Sequence, residues 1–378
     1  MMICYTGLTK LKTKPFVYQN VLLARDSGTL EQLKELSSKR KAIEDSINDN
    51  SSVTEAVARE MSGGLTSRCE QDILKLEQYL PLLENLVHNI DIRFKNHQQI
   101  VSWISHLKIR WTSVLASSSI FHLKGPKFHQ VNDIHFELGM TLFLYGAMLR
   151  DRAFEVLSSD LVLSATLFRK AGGVYDYLAK EVPIFITRDD DKIPETVPNV
   201  SLIMSLVCLA DAQAVTARKS EENGNSGSLL AKLHYGITEF LSEAIEMYHA
   251  IIKDKTEISS RLLDYMMSCK SLHELKCYKH FAESLKNEGK FGFAIGVLSR
   301  ELLKAKKNGA KDEKWRLVLR QVMDECNVVL KKYEHENEFV WHEKVPGKYD
   351  LPLAQGVKIV TLISYQPQKC EKLFDFKL

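Results

Sequence analysis

Ile134-His135-Phe136-Glu137-Leu138-Gly139-Met140-Thr141-Leu142-Phe143-Leu144-Tyr145-Gly146-Ala147-Met148-Leu149 is the stretch that sets the fold class. Ile134, Leu138, Leu142, Tyr145 and Leu149 recur every three to four residues, the spacing that stacks side chains along one helix face. From Gly139 to Leu149 the residues between them are apolar as well. A helix that is apolar nearly all round is expected inside the core, not on its surface.

Towards the C-terminus the pattern stays helical. Ser159 is placed to cap a helix whose stripe is Leu163, Leu167, Ala171, Val174 and Leu178. Further helices are predicted at about 201–220, 227–253, 257–288, 290–307 and 311–336. The segment 187–199, with Asp189, Asp190, Asp191, Pro194 and Pro198, reads as an exposed connection, and 223–227 as a flexible loop. No repeat of fixed length emerges. Successive helices with short links predict a helical-hairpin array, a degenerate solenoid. After Pro346 the chain turns irregular, and Leu351, Pro352, Leu353 and Val357 to Leu362 are expected to pack along the body as an arm over 346–378. One elongated domain over 1–378 is expected, its core at about 11–358.

Towards the N-terminus, Leu76, Leu80, Leu83, Val87 and Ile90 mark a helix beginning near Glu70, and Pro81 within it predicts a kink or break. Thr29 and Gln32 have capping-box spacing and precede Leu30, Leu33, Leu36, Ile43 and Ile47 on a helical face. Phe16-Val17-Tyr18 and Val21-Leu22-Leu23 are β-prone and predict a small N-terminal strand or hairpin. Leu107 to Thr112 alternates apolar and polar residues, as a strand does. The fold class is therefore mainly α, with a small N-terminal β-sheet.

Composition agrees. Of 378 residues, 45% are hydrophobic and 26% charged, normal for a globular chain. With 18 Gly and 9 Pro the chain has too few turn-formers for a β-sandwich or barrel. A formal charge of +3 does not suggest a dedicated nucleic-acid binder. No run of eighteen uncharged apolar residues is present, so no membrane span is expected. Seven dispersed cysteines without a C-x-x-C pair read as free thiols in a reducing, cytoplasmic compartment. Residues 1–5 lack the pattern of a signal peptide, Met2 excludes myristoylation, and Asp375 stands where a prenylation box would need cysteine. Asn50-Ser51-Ser52 and Asn199-Val200-Ser201 match the glycosylation pattern by chance.

Candidate chemistry is sparse. His273, Cys277 and His280 share a helix face, and imidazole and thiolate suit zinc. Three side chains of one helix rarely surround an ion without help, so the plainer reading is a half-buried face. His273-Glu274-Leu275-Lys276-Cys277 has cysteine where H-E-x-x-H requires a second histidine. Asp189-Asp190-Asp191 is read as a solvated loop and not as a cation site. Residues 223–227 lack the preceding strand and the Gly-Lys-Ser/Thr of a phosphate loop. Lys304, Lys306, Lys307, Lys311, Lys314, Arg316 and Arg320 could touch anionic lipid, although a solvated helix end is the simpler reading. Leu229 and Leu233, one turn apart with Lys219 shortly before, are either core residues or an apolar patch that receives a partner helix. No enzyme signature and no cofactor site is found.

Several segments resemble the Bro-one domain, the endosomal-targeting module of Alix-type and Brox-type proteins. The most specific is Glu336-Asn337-Glu338-Phe339-Val340-Trp341-His342-Glu343-Lys344-Val345-Pro346, followed by Asp350-Leu351-Pro352 and Gly356-Val357. Leu33 to Ala42, Lys108-Ile109-Arg110-Trp111, Phe136 to Leu138, Leu142 to Ala147, Ala171 to Leu178 and Leu209 to Gln213 are similar in the same order. The likeness is collinear from about Leu11 to Lys358.

The resemblance implies a curved, mostly helical body with a tetratricopeptide-like core, and binding in place of catalysis. It implies a partner, the C-terminal amphipathic helix of an ESCRT-III subunit (a charged multivesicular body protein), in endosomal and multivesicular-body sorting by a cytoplasmic protein recruited to endosomes. The mode would be helix-in-groove. The family's two apolar contacts fall on Leu229 and Leu233 and a basic contact on Lys219. An acidic and a basic contact of the family fall near Ser158 and Val162, which carry no charge. The chain is expected to be a domain-only form without a prenylation box, so membrane contact would be peripheral. A scaffold of the same fold that binds another helix or a receptor tail is the alternative. A metal-dependent enzyme built on His273 and His280 is the third class.

Overall fold

The computed structural model describes residues 2–48, 67–94, 97–117, 127–182, 193–254, 257–307, 309–347, 349–368 and 372–378. Its α-helices are α1 (Ser27–Asn48), α2 (Arg68–Asn89), α3 (Gln98–Leu107), α4 (Ile134–Val156), α5 (Leu161–Lys180), α6 (Pro198–Glu222), α7 (Gly227–Lys253), α8 (Ser260–Asn287), α9 (Phe291–Lys307) and α10 (Glu313–Glu336). One antiparallel pair, β1 (Ile109–Thr112) and β2 (Phe128–Val131), runs in register from Ile109 opposite Val131 to Thr112 opposite Phe128.

The helices begin where short polar side chains can take up orphaned backbone N–H groups. Ser67 accepts from Glu70, Asp133 from His135, Asp160 from Val162 and Leu163, Ser226 from Leu229, and Asp312 from Lys314. Helix α1 starts at Ser27, and its first donor, the Thr29 N–H, goes to Asp26 at 2.6 Å. Asp26 is thus the cap in place of the expected Thr29–Gln32 pair, and the Thr29 hydroxyl is left to accept from Asp375 N.

From α4 onwards each helix packs on the next, with α2 against the other side of α4. Helix α4 is buried on nearly all sides from Phe136 to Arg150. Helix α6 is long and apolar enough to cross a membrane, but 78% of its apolar window is buried against its neighbours, so the apolarity serves the core. Buried residues from Ile3 to Phe376 form one hydrophobic cluster.

Buried charges lock distant segments together. Arg40 donates to Glu137 Oε1 at 2.9 Å and to Thr13 Oγ1 at 2.7 Å, and Trp111 Nε1 donates to Glu137 Oε2 at 2.7 Å. Tyr79 O–H completes the set on Glu137 at 3.1 Å. Arg150 donates twice to Asp211 Oδ2, to Tyr265 Oη at 2.7 Å and to the Tyr5 carbonyl at 3.0 Å. Each cluster is satisfied from several elements, the condition for burying charge without a large penalty.

Other expectations change as well: Asp160, not Ser159, caps α5. Residues 16–23 form no strand: Tyr18–Asn20 is a single 3-10 turn, because the Tyr18 ring is buried and its hydroxyl meets Tyr79 at 2.7 Å. The first residues add only isolated bridges, Thr13 opposite Trp111 and Ala24 opposite Phe376, so the small sheet is built on the strand expected at 107–112 and not at 16–23. Helix α2 continues through Pro81, since the carbonyl that loses its donor belongs to Glu77 on the exposed side. The end of the 187–199 connection is buried: Glu195 accepts from Val114 N at 2.6 Å, Leu115 N at 2.8 Å and Ser113 Oγ. Asp189, Asp190 and Asp191, Asn50-Ser51-Ser52 and Cys370 lie outside the described residues.

The run at 336–346 makes a chain reversal. Asn337 Nδ2 donates to the Glu343 carbonyl at 2.9 Å, and Glu343 N donates back to Asn337 Oδ1 at 3.0 Å. His342 takes φ +52°, Trp341 stacks on Phe291 at 4.6 Å, and Glu343 accepts from Gly292 N at 2.8 Å. The extended arm then crosses the array. Val357 N bonds to the Lys232 carbonyl and Ile363 N to the Arg169 carbonyl. A methyl group on Gly236 would overlap the Val357 carbonyl, and one on Gly173 the Ile363 carbonyl, so the arm lies where only glycine permits it.

Candidate functional site

The arm divides the surface of α5, α6 and α7. It meets α5 at Arg169 to Gly173, α6 at Gln213 and α7 at Lys232 to Gly236. Beyond it, towards the end where α6 turns into α7, the first turns of α5 and α7 and the last turns of α6 are left uncovered. Arg218 Nη1 reaches the Leu157 carbonyl there, tying the end of α6 to the turn before α5. These helix ends, here called the shelf, expose Val162 on α5, Lys219 on α6 and Leu229 on α7, with Thr216 half-buried on α6. Val162 is 56% and Leu229 40% exposed. Lys219 is exposed as well. Val357 and Ile359 of the adjoining arm are 41% and 50% exposed.

Leu233 is not on that shelf. It is 2% exposed and belongs with Leu230, Ile237, Phe240 and Leu241 to the core stripe of α7. Its carbonyl accepts from Gln213 Nε2 at 2.9 Å. The expectation of two open leucines one turn apart is therefore corrected to one. The physical reason is the end of the helix: Leu229 sits in the first turn, whereas Leu233 lies one turn deeper, where its carbonyl is already bonded to Gln213 of α6.

Beneath the shelf lies a group of imidazoles. Glu221 Oε1 is 3.0 Å from His234 Nε2 and 3.3 Å from His280 Nε2. The rings of His234 and His280 are parallel within 8°, with centroids 5.8 Å apart. His234 Nδ1 is 3.1 Å from His273 Nδ1. Burial lowers the His234 pKa to about 4, against the opposing pull of Glu221, and holds His273 well below its ordinary value. Glu221 is partly desolvated, but its hydrogen bonds with His234 and His280 win and hold its carboxyl far below the usual range. Helix α7 starts on this group, since a methyl on Gly227 would lie 3.1 Å from the His280 carbonyl.

The same geometry separates the trio of His273, Cys277 and His280. Both histidines face His234, with His280 also reaching Glu221, while Cys277 is buried near Glu274 and Glu301; burial, with those carboxylates, raises its pKa to about 12. Among the basic residues, Lys304 is paired with Glu274 at 2.7 Å and Glu301 at 3.3 Å, and Arg316 donates to the Ala310 and Lys311 carbonyls. The rest of that cluster is a solvated helix end.

Of the exposed residues at these helix ends, sequence reasoning singled out Lys219 and Leu229. It reached Val162 only as an uncharged position and missed Glu221 and His234 altogether. Only the seven-residue spacing of His273 and His280, which puts both on one helix face, pointed to a meeting with a second helix.

Against known proteins, the model of the family described as BRO1-like domain matches residues 32–376. Programmed cell death 6-interacting protein of Xenopus laevis is 24% identical over 250 residues, 65% of this chain and 28% of that protein. Vacuolar protein-sorting protein BRO1 of Yarrowia lipolytica is 24% identical over 268 residues, 62% of this chain and 30% of that protein. Tyrosine-protein phosphatase non-receptor type 23 of Homo sapiens is 23% identical over 270 residues, 68% of this chain but only 16% of that protein. Each match thus spans less than a third of the relative. Among solved structures, "ALIX BRO1 CHMP4C complex" aligns with a TM-score of 0.71 and 18% identity, covering 99% of this chain and 98% of the other. "Structure basis for endosomal targeting by the Bro1 domain" aligns with a TM-score of 0.67 and 15% identity over 96% of this chain and 94% of the other.

Proposed function

This chain belongs to the BRO1-like domain family, and on that premise we propose that it is a non-enzymatic adaptor that receives the C-terminal amphipathic helix of an ESCRT-III subunit on the shelf beside the arm. The observation that carries the reading is the pair of open apolar side chains, Leu229 and Val162, on neighbouring parts of the shelf that also presents Lys219. An amphipathic helix would bury its apolar stripe on Leu229 and Val162 and set an acidic flank against Lys219. The solved neighbour named as an ALIX BRO1 CHMP4C complex supports an ESCRT-III partner at the level of the family. Relatives named for vacuolar sorting and endosomal targeting support a role on endosomes, reached from the cytoplasm.

The phosphatase named among the relatives lends no activity, because the match covers 16% of that protein. The thiols among the described residues support the same reading. Burial raises Cys4 and Cys326 to about 11 and Cys69 to about 12, and it drives Cys208 and Cys269 higher still. A thiol so hard to ionise is a poor nucleophile.

The test is calorimetric titration of an ESCRT-III C-terminal helix peptide into the wild type, Leu229→Asp and Lys219→Glu. A desolvated leucine anchor is expected to contribute at least about 2 kcal/mol, so Leu229→Asp should weaken binding about thirty-fold or more. Binding unchanged in both variants would overturn the site, and a wild type that binds no such peptide would overturn the partner.

A further inference from the structure

We propose that Glu221, His234 and His280 form a binding site for a zinc-class divalent metal ion that pins α6, α7 and α8 together under the shelf. Their ligating atoms, one from each helix, lie within 4.8 Å of one another. In a four-coordinate site with bonds of about 2.0–2.2 Å, neighbouring ligand atoms stand roughly 3.3–3.5 Å apart. The measured 3.0 Å and 3.3 Å between Glu221 Oε1 and the two Nε2 atoms are close to those edges. The third edge, between the two Nε2 atoms, is the long one at up to 4.8 Å, so binding the ion requires one imidazole to swing about an ångström or more towards the other and tilt out of the near-parallel arrangement. A carboxylate with two imidazoles is a donor set zinc accepts, and the fourth position would be water. Side-chain exposures of 30% for Glu221 and 16% for His280 leave an approach for both water and ion.

The other ring nitrogens favour an ion over a group of neutral imidazoles bonded to Glu221 alone. Suppose each neutral imidazole gives its Nε2–H to Glu221. The Nδ1 atoms are then lone-pair acceptors. His280 Nδ1, which is buried and makes no hydrogen bond, would point that lone pair towards the Glu283 carboxylate 3.6 Å away. With a metal on Nε2 the protons move to Nδ1. His280 then presents an N–H to Glu283, and His234 donates to His273 Nδ1 at 3.1 Å. Ligating histidines ordinarily hold their second nitrogen in this way, with an outer partner fixing tautomer and ring orientation. Lys276, close enough to act on Glu221 and His234, opposes the cation. The Glu221 and Glu283 carboxylates offset it.

The site is independent of what docks on the shelf, so its test needs no peptide. Full-length protein, stripped with a chelator and dialysed, is titrated with Co²⁺ and then with competing Zn²⁺. Glu221→Gln and His280→Ala are titrated in parallel, with circular dichroism to check folding. The wild type should bind one equivalent, show the visible absorption bands of tetrahedral cobalt, release cobalt to zinc, and melt at a higher temperature with zinc than without. His280→Ala should bind at least about 100-fold more weakly and lose the zinc-dependent rise in Tm. A folded wild type with no stoichiometric binding would overturn the proposal. So would equal affinity in the wild type and both variants, which would put the metal elsewhere.

Discussion

Gln213 holds Val357 in place: its Nε2 donates to the Val357 carbonyl at 2.9 Å and also to the Leu233 carbonyl at 2.9 Å, while its Oε1 accepts from Ile359 N at 3.1 Å. One fully buried amide thus ties the middle of the arm to α6 and α7 at the edge of the shelf. Removing it leaves backbone groups of the arm and α7 without partners, a cost of about 1–3 kcal/mol. Gln213→Ala should lower unfolding stability by that amount in urea titration and speed amide exchange across 356–364. Exchange rates equal to wild type would mean that the arm is held by its apolar contacts alone.

Arg150 and Asp211 form the second buried charge pair, with Tyr265 and the Tyr5 carbonyl filling the remaining positions of the guanidinium. The pair joins α4, α6, α8 and the N-terminal segment. Replacing Arg150 by alanine leaves Asp211 buried without its counter-charge, and such breaks cost about 3–5 kcal/mol. The double variant Arg150→Met with Asp211→Leu should be markedly less damaging than Arg150→Ala. Guanidinium unfolding of the three proteins checks the order.

Much of this architecture is readable from local pattern. Helix α7 spans the residues its periodicity marks, and the apolar surround of α4 gives its central place. What sequence does not carry is pairing at a distance. Strand β2 has four residues and acquires its partner only when β1 arrives from the far side of the 113–127 connection. The β-prone run at Tyr18 is claimed instead by a hydroxyl pair with Tyr79 and a bond to Ser37. At the start of α7, Leu229 and Leu233 lie about 40° apart on the helix, and periodicity alone cannot tell which one the neighbouring elements cover. The imidazole group is further from view, since Glu221, His234 and His280 come from three helices.

His135 links stability to pH. Burial opposes its charge, but hydrogen bonds to Asp133 at 2.8 Å and Asp91 at 3.0 Å outweigh that and raise its pKa to about 9, from an ordinary 6.5. A raised histidine contributes its full stabilisation below the unfolded value and loses it as pH climbs through the folded one. The window of loss is therefore about pH 6.5 to 9. Both carboxylates are more than a third exposed, so screening reduces the contribution to about 1–2 kcal/mol. Asp91→Asn should cost most at pH 6 and little at pH 10 in chemical denaturation. A cost independent of pH would show that the bond stabilises by geometry and not by charge.

Leu229 and Leu233 should part company when each is made acidic. Leu233 is fully packed, so Leu233→Asp buries an unpaired carboxylate in the α6–α7 contact and should destabilise by about 3 kcal/mol or more. Leu229 is open, and Leu229→Asp should change stability by no more than about 0.5 kcal/mol. Under the adaptor reading the effects on binding divide the other way. Leu229→Asp should weaken the ESCRT-III peptide while the fold is untouched. Leu233→Asp should lose binding only in step with its unfolded fraction, so correcting for that fraction at low temperature should recover affinity near that of the wild type. Val162→Asp supplies an independent arm, because Val162 is open on a different helix. If Leu229→Asp and Val162→Asp both fold and both bind like wild type, the peptide does not use the shelf.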